Sequence, residues 1–103
     1  MDLHLRDKHI LITGGSKGIG LACAEAFLQE GSRVTLVSRD SGNLARARER
    51  LAAHGQERIH THAADLRDAS AAQAALDAAE AALGAVDVPV SYTHLTLPTT
   101  SRV

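Results

Sequence analysis

The stretch from Thr13 to Gly20 holds the residues best suited to bind an anion. It reads Thr-Gly-Gly-Ser-Lys-Gly-Ile-Gly, follows a short apolar run and leads into a segment with helical spacing. Gly14 can take the positive φ that a tight exit from a strand requires. Gly18 lets the backbone approach a pyrophosphate, and Gly20 lets the new helix pack close to the strand. Because the first N–H groups of a helix are free, the motif predicts a phosphate cradle at the helix N-terminus.

The glycine spacing is Gly-x-x-x-Gly-x-Gly, with Thr13 in front of it. This pattern resembles the cofactor motif of the short-chain dehydrogenase/reductase family. The resemblance implies a nicotinamide dinucleotide held by Gly14, Ser16, Lys17, Gly18, Ile19 and Gly20. A glycine turn that binds no ligand is the alternative, because short motifs also occur by chance.

The residues after the second predicted strand indicate which dinucleotide would bind. Sites for NAD place an Asp or Glu about 20 residues after the glycines, whereas this chain has Ser38 and Arg39. A guanidinium can bind a 2′-phosphate through charge-assisted hydrogen bonds, and Lys17 would add a second positive charge. In the resembling family, basic residues at these two positions accompany a preference for NADP, which we therefore expect over NAD. The alternative is that Arg39 is a solvated surface arginine.

Asp65 and Leu66 follow the third predicted strand and offer an acceptor beside an apolar side chain. The resemblance implies that Asp65 accepts a hydrogen bond from the adenine amino group and that Leu66 packs by the ring. Such a pair suits the carboxyl ends of parallel strands, where doubly wound sheets bind ligands. The alternative is that Asp65 caps a turn, as Asp commonly does.

Three further side chains could do chemistry, but each has a simpler interpretation. His60 and His62 share one face of a predicted strand, yet a catalytic zinc usually needs three protein ligands and no third is evident. Cys23 lies on the first predicted helix, where it is expected to pack as a small apolar residue. We therefore assign neither a metal site nor a catalytic residue to this chain.

The elements that must position these residues alternate between strand and helix. Apolar runs predict strands over 8–13, 33–38 and 58–63 and from 87 onward. Helical spacing predicts helices over 18–30, from Asp40 or Ser41 to about His54, and over 70–83 after an Asp68 N-cap. Strands joined by right-handed helical crossovers form a parallel sheet. The prediction is an α/β, Rossmann-like doubly wound fold truncated to its first half, β-α-β-α-β-α-β.

Composition limits the class of protein and its partners. The chain has 103 residues, 45% hydrophobic and 22% charged, as expected of one small globular domain or part of one. A net charge of −1 argues against nucleic acid or an anionic membrane surface as the main partner. With one Cys, no signal-like N-terminus and no membrane-spanning run, the expected location is the cytoplasm.

The chain changes character after Val88. The family would continue with Leu-Val and a turn containing Asn-Ala-Gly, whereas this chain continues with Pro89, which suits a central strand poorly. Residues 89–103 resemble a translated sequencing adapter from transposase-based library preparation. The adapter word GTC TCT TAT ACA CAT CTG ACG CTG CCG ACG translates as Val90 to Thr99, and the adapter sequence places a stop codon after Val103. The prediction is an NADP-binding half-domain, 1–88, followed by a non-native tail, 89–103.

The family resemblance covers Lys8 to Val88 and therefore only the cofactor half. It implies the N-terminal fragment of an enzyme that transfers a hydride between NADP(H) and a carbonyl or alcohol substrate, with a homo-oligomeric parent. The family's catalytic Ser, Tyr-x-x-x-Lys pair and Asn would lie beyond the break. Tyr92 is not that tyrosine, because Thr96 stands where the lysine would be. The fragment is expected to be inactive. For the function of the parent, the alternative to an enzyme is a non-catalytic dinucleotide-binding sensor of the same fold.

Overall fold

The computed structural model describes residues 6–13 and 18–91. Four strands alternate with three α-helices in this part of the chain: β1 (His9–Thr13), α1 (Gly18–Gln29), β2 (Arg33–Ser38), α2 (Ser41–Leu51), β3 (Ile59–Ala63), α3 (Ala69–Leu83) and β4 (Val88–Ser91). Two short 3-10 turns, Ala52–His54 and Gln56–Arg58, connect α2 to β3. The predicted order of strands and helices is confirmed.

Several elements are shorter than the sequence predicts. The second α-helix ends at Leu51, and the predicted final turn to His54 is a 3-10 turn instead. The first strand begins at His9, the third begins at Ile59, and the first helix ends at Gln29, each one residue inside its predicted bound. Shifts of this size are usual because helix ends fray and the last turn tightens.

Local signals set the ends of α2 and α3. The Asp40 carboxylate accepts a hydrogen bond from the Asn43 N–H at 3.0 Å, which makes Asp40 the N-cap of α2. Asp68 caps α3 in the same way, accepting from the Ser70 N–H at 2.9 Å. Gly84 ends α3 with φ of 92°, a conformation that glycine adopts without strain. Asp40, and not Ser41, is therefore the N-cap of α2. The predicted Asp68 cap is confirmed.

All pairings in the sheet are parallel, and the strand order is β3-β2-β1-β4. Ile10 of β1 lies opposite Val34 of β2 on one side and Val88 of β4 on the other. The chain moves outward from β1 through β2 and β3, then crosses back to form β4 beside β1. Order therefore reverses between β1 and β4, the kind of switch point at which doubly wound sheets bind ligands. The predicted Rossmann-like α/β fold, truncated to its first half, is confirmed.

Helices α1 and α2 cover one face of the sheet. The strand residues Ile10, Ile12, Val34 and Leu36 are fully buried there. They pack against apolar residues of the two helices, namely Ala24, Leu28, Leu44, Ala47 and Leu51. Burial of these aliphatic side chains supplies the main driving force for folding on this face.

Helix α3 covers the opposite face only in part. A groove of about 480 Å³ remains between α3 and the sheet, lined by Leu11, Thr13, Val37, Leu76 and Pro89 among others. Pro89 lies within β4, which is an edge strand of this four-stranded sheet. An edge strand tolerates proline because the missing N–H can face away from the neighbouring strand. In the residues that the structure describes, no helix is long and apolar enough to cross a bilayer.

His9 ties β1 to β2 and to the turn that precedes β4. Its ring is fully buried, with Nδ1 2.8 Å from the Gly84 carbonyl oxygen and Nε2 2.7 Å from Thr35 Oγ1. Because a carbonyl can only accept, Nδ1 carries the hydrogen, and in the neutral ring Nε2 accepts from the Thr35 hydroxyl. The His9 N–H also donates to the Asp87 carboxylate, and the Asp87 N–H donates to the His9 carbonyl, both at 2.9 Å.

Candidate functional site

The carboxyl ends of the parallel strands lie along one edge of the sheet and bring together those predicted site residues that the structure describes. Helix α1 begins at Gly18, after β1, and Gly20 is buried in its first turn. Ser38 ends β2 and Arg39 follows it, while Asp65 follows β3. This edge of the sheet therefore carries the N-terminus of α1 after β1, the Arg39 guanidinium after β2 and the Asp65 carboxylate after β3.

Part of the predicted phosphate cradle cannot be placed. Gly14, Ser16 and Lys17 lie outside the residues that the structure describes, and of Ile19 only the helical backbone is described. Their assignment to a dinucleotide therefore stays a prediction from the sequence motif.

The loops after β2 and β3 are adjacent. The Ala64 N–H donates to the Ser38 carbonyl oxygen at 2.9 Å, which extends the β2–β3 pairing past the end of β3. Ser38 is half-buried and its hydroxyl accepts from the Asp40 N–H at 3.3 Å, whereas Arg39 is exposed. The chain therefore presents the Arg39 guanidinium to solvent close to the turn that carries Asp65.

Asp65 is held by Arg67, two residues further along the chain. One carboxylate oxygen, Oδ1, accepts from both the backbone N–H and the side-chain Nε of Arg67, each at 3.0 Å. The other oxygen, Oδ2, accepts from Arg67 Nη2 at 2.9 Å. The turn is closed by the Asp68 N–H, which donates to the Asp65 carbonyl at 3.1 Å. Asp65 thus forms the turn foreseen as the alternative, and its carboxylate lies at the predicted edge.

These contacts change the acidity of Asp65. Hydrogen bonds from the Arg67 side chain, and next from its backbone N–H, lower the pKa of Asp65 from 3.8 to about 2, and the charge of Arg39 adds to the effect. Asp65 is therefore ionised throughout the neutral range, as an acceptor for an amino group must be.

Leu66 supplies the apolar surface beside Asp65. It is 36% exposed and is the one large hydrophobic residue classed as exposed in the described part of the chain. Its side chain also lines the groove under α3. An exposed leucine next to a fixed carboxylate fits the predicted need for a flat apolar contact beside an acceptor.

His60 and His62 lie side by side on β3, with ring centroids 6.5 Å apart. The Nε2 atom of His60 is buried and has no hydrogen-bond partner within the described residues. Burial lowers the pKa of His60, and the charges of His62, Arg48 and His9 lower it further. No cluster of three or more His, Cys, Asp or Glu side chains that could hold a metal occurs among residues 6–13 and 18–91.

Comparison with known proteins identifies the family. Residues 8–93 match the short chain dehydrogenase family. The chain belongs to this family. The match extends past Val88 and so includes the first residues of the segment that the sequence predicts to be non-native.

The chain matches only a part of each curated relative described here. Over 87 residues the chain is 42% identical to the Rhizobium meliloti protein named "Probable galactose dehydrogenase GalD", covering 84% of this chain and 34% of that protein. It is 38% identical over 86 residues to 1-deoxy-11-beta-hydroxypentalenate dehydrogenase of Streptomyces avermitilis, covering 84% and 32%. The chain thus spans about a third of the length of the curated relatives it matches.

Solved structures of the family superpose on the same region. Actinorhodin polyketide ketoreductase with NADPH gives a TM-score of 0.79 at 29% identity, covering 84% of this chain and 33% of that chain. A short chain dehydrogenase/reductase from Burkholderia phymatum in complex with NAD gives 0.77 at 33% identity, covering 82% and 30%. These neighbours bind NADPH in one case and NAD in the other, so membership of the family leaves the choice between the two dinucleotides open.

Proposed function

We propose that this chain is the N-terminal, cofactor-binding part of a cytoplasmic, NADP(H)-dependent short-chain dehydrogenase/reductase. The full-length parent would transfer a hydride between the nicotinamide and a carbonyl or alcohol. The proposal includes inactivity of the chain by itself, because the catalytic groups implied by the family resemblance lie beyond Val88. The chain covers between about a fifth and about a third of the curated relatives, which supports this division of the protein.

The observation that carries the choice of NADP is the exposed Arg39 at the end of β2. Neither Ser38 nor Arg39 is a carboxylate that could bind the ribose hydroxyls of NAD, and the carboxylate of the next residue, Asp40, caps α2. The Asp65 carboxylate on the neighbouring loop is already paired with Arg67, so the Arg39 charge is available to an anion. The residues present therefore fit an adenosine bearing a 2′-phosphate.

A binding titration of the full-length parent with NADP and NAD tests this choice. The unmodified protein should bind NADP more tightly, by roughly tenfold or more, the range expected for hydrogen bonds to a charged group. Arg39→Asp should remove that preference, because a carboxylate would repel the 2′-phosphate. Arg50→Asp makes the same charge change on the exposed face of α2 and should leave the preference intact. Equal affinity of the unmodified protein for the two dinucleotides would refute the proposal.

Residues 89–103 are proposed to be foreign to the parent. A foreign segment can still pair as β4, since the backbone bonds of a parallel ladder do not depend on side-chain identity. Sequencing the source gene past the codon for Val88 tests this idea directly. The expected continuation is Leu-Val and a turn containing Asn-Ala-Gly, with Tyr-x-x-x-Lys further on. Genomic DNA that encodes Pro89 to Val103 would contradict the proposal, and a parent without Tyr-x-x-x-Lys would favour the non-catalytic sensor.

A further inference from the structure

Arg67 is the residue of the candidate site that neither the sequence motif nor the family match assigns. It contributes all three hydrogen bonds found on the Asp65 carboxylate, at 2.9–3.0 Å. Its own side chain is 79% exposed, and that of Asp65 is 43% exposed. An ion pair as exposed as this adds little to folding stability, so stability gives no reason for the arrangement.

The geometry of the pair restricts the direction of the carboxylate. Two nitrogen atoms of the planar guanidinium contact the two oxygens, which aligns the guanidinium and carboxylate groups side by side. The backbone N–H of the same residue fixes Oδ1 from a second direction. A free Asp side chain would rotate about two bonds, whereas this one is held in a single orientation.

The pairing still leaves room for a ligand. An ionised carboxylate offers about four acceptor positions, and Arg67 occupies three. Oδ1 accepts two of the bonds and Oδ2 accepts one. Oδ2 is therefore the oxygen with an acceptor position left for a donor such as an exocyclic amino group.

We propose that Arg67 is a positioning residue for adenine recognition: it holds the Asp65 carboxylate so that Oδ2 can accept from the adenine amino group of the dinucleotide. This inference rests on the function proposed above. The neighbouring Leu66, exposed beside the carboxylate, would cover the face of the same base. A preorganised acceptor discriminates between bases because no rotamer freedom has to be lost when the ligand binds.

The experiment compares NADP with its hypoxanthine analogue, in which a carbonyl oxygen replaces the adenine amino group. Dissociation constants for both are measured by calorimetry on the full-length parent. The unmodified protein should prefer the adenine form by about tenfold or more, because the analogue loses a bond to a charged acceptor and places oxygen against oxygen. Asp65→Asn should abolish that preference.

Variants of Arg67 test the positioning role. Arg67→Met should reduce the preference for adenine to about threefold or less, while Arg67→Lys, which keeps one donor, should give an intermediate value. Arg50→Met, an exposed arginine on α2, is the matched control and should leave the preference unchanged. A purely structural role would weaken both ligands equally and leave their ratio unaltered.

The outcomes separate the two levels of the argument. If Arg67→Met keeps the unmodified ratio, or if Asp65→Asn keeps it, Arg67 does not act through Asp65 and the inference is wrong even though the protein binds dinucleotide. If the unmodified protein binds neither NADP nor its analogue, the proposed function itself fails and the inference fails with it. If Arg67→Met lowers the affinity for the adenine form more than that for the analogue, so that their ratio falls, the positioning role is supported.

Discussion

Replacing His9 by leucine should destabilise the fold, because the buried Thr35 hydroxyl and the partly buried Gly84 carbonyl lose their partner. The His9 ring is fully buried and bridges the Gly84 carbonyl, at 2.8 Å, to the Thr35 hydroxyl, at 2.7 Å. Leucine has a similar size but no polar atoms, so cavity formation is a small part of the effect. The backbone bonds between His9 and Asp87 do not involve the ring and should persist.

The expected cost of His9→Leu follows from the bonds that are lost. A buried donor or acceptor left without a partner costs about 1–3 kcal/mol, and two groups are left without one. Some relaxation toward water is possible at the turn that carries Gly84, which is an exposed residue. We therefore expect a loss of roughly 2–4 kcal/mol in the free energy of unfolding.

A double-mutant cycle with Thr35→Val separates the hydrogen bond from general packing. Thr35→Val alone should cost about 1–2 kcal/mol, because it leaves His9 Nε2 without its partner. Added to His9→Leu, it should cost little, since the hydroxyl that it removes already has no partner. The two changes should therefore be non-additive by about 1 kcal/mol or more.

Urea unfolding of the full-length parent, followed by circular dichroism, measures all four states of the cycle. Thr61→Val is the control, because Thr61 lies opposite Leu36 on the other face of the sheet and should add to His9→Leu within about 0.5 kcal/mol. Additivity of His9→Leu and Thr35→Val within the same limit would refute the proposed bridge.

Two further predictions concern groups with perturbed pKa values. His60→Leu should stabilise the fold by about 1 kcal/mol at pH 7, because it removes the buried Nε2 that lacks a partner. Since burial lowers the pKa of His60 in the folded state, the unfolded chain binds the proton more readily. Stability should therefore fall as the pH drops below 6.5, and it should fall less in His60→Leu. Urea unfolding at pH 7 and at pH 5.5 measures this loss of stability, and an equal loss in the two proteins would contradict the prediction. Arg67→Met should raise the pKa of Asp65 from about 2 toward 3.8, measured by carbon-13 NMR titration of the carboxyl group. Ionisation of Asp65 stabilises the fold fully above pH 3.8, and this stabilisation is lost as the pH falls through 2. An unchanged titration of Asp65 in Arg67→Met would contradict the pairing.

The order of elements was predictable because each local signal agrees with the fold. The glycine-rich motif that follows β1 in the sequence, the Asp68 N-cap and the Gly84 helix end are signals that act within a few residues and can be read without tertiary contacts. The end of α2 was less predictable. His54 lies in a 3-10 turn, and its ring contacts Glu25 of α1 at 3.2 Å. A contact between residues so far apart in the sequence cannot be predicted from helical spacing.

Side-chain networks between distant segments could not be predicted from the sequence. His9 resembles the other residues of a buried strand in position, and nothing near it in the chain announces its partners Thr35 and Gly84. Arg58 is a second example: its guanidinium donates to the carbonyls of Leu28, Ser32 and His54 and so joins α1, the connection before β2 and the first 3-10 turn. Arg67 differs from both, since an arginine two residues after an Asp at the start of a turn is a local signal in the sequence.

The proposed site has to satisfy two requirements that conflict electrostatically. A carboxylate at the end of β3 suits the adenine amino group, but an unpaired carboxylate close to Arg39 would attract that guanidinium and repel a 2′-phosphate. Pairing Asp65 with Arg67 leaves the carboxylate ionised as an acceptor and offsets much of its negative charge. The positive charge of Arg39 then remains for the phosphate. On this argument the loss of Arg67 should weaken NADP more than NAD, because only NADP carries the second negative group that Arg39 must hold.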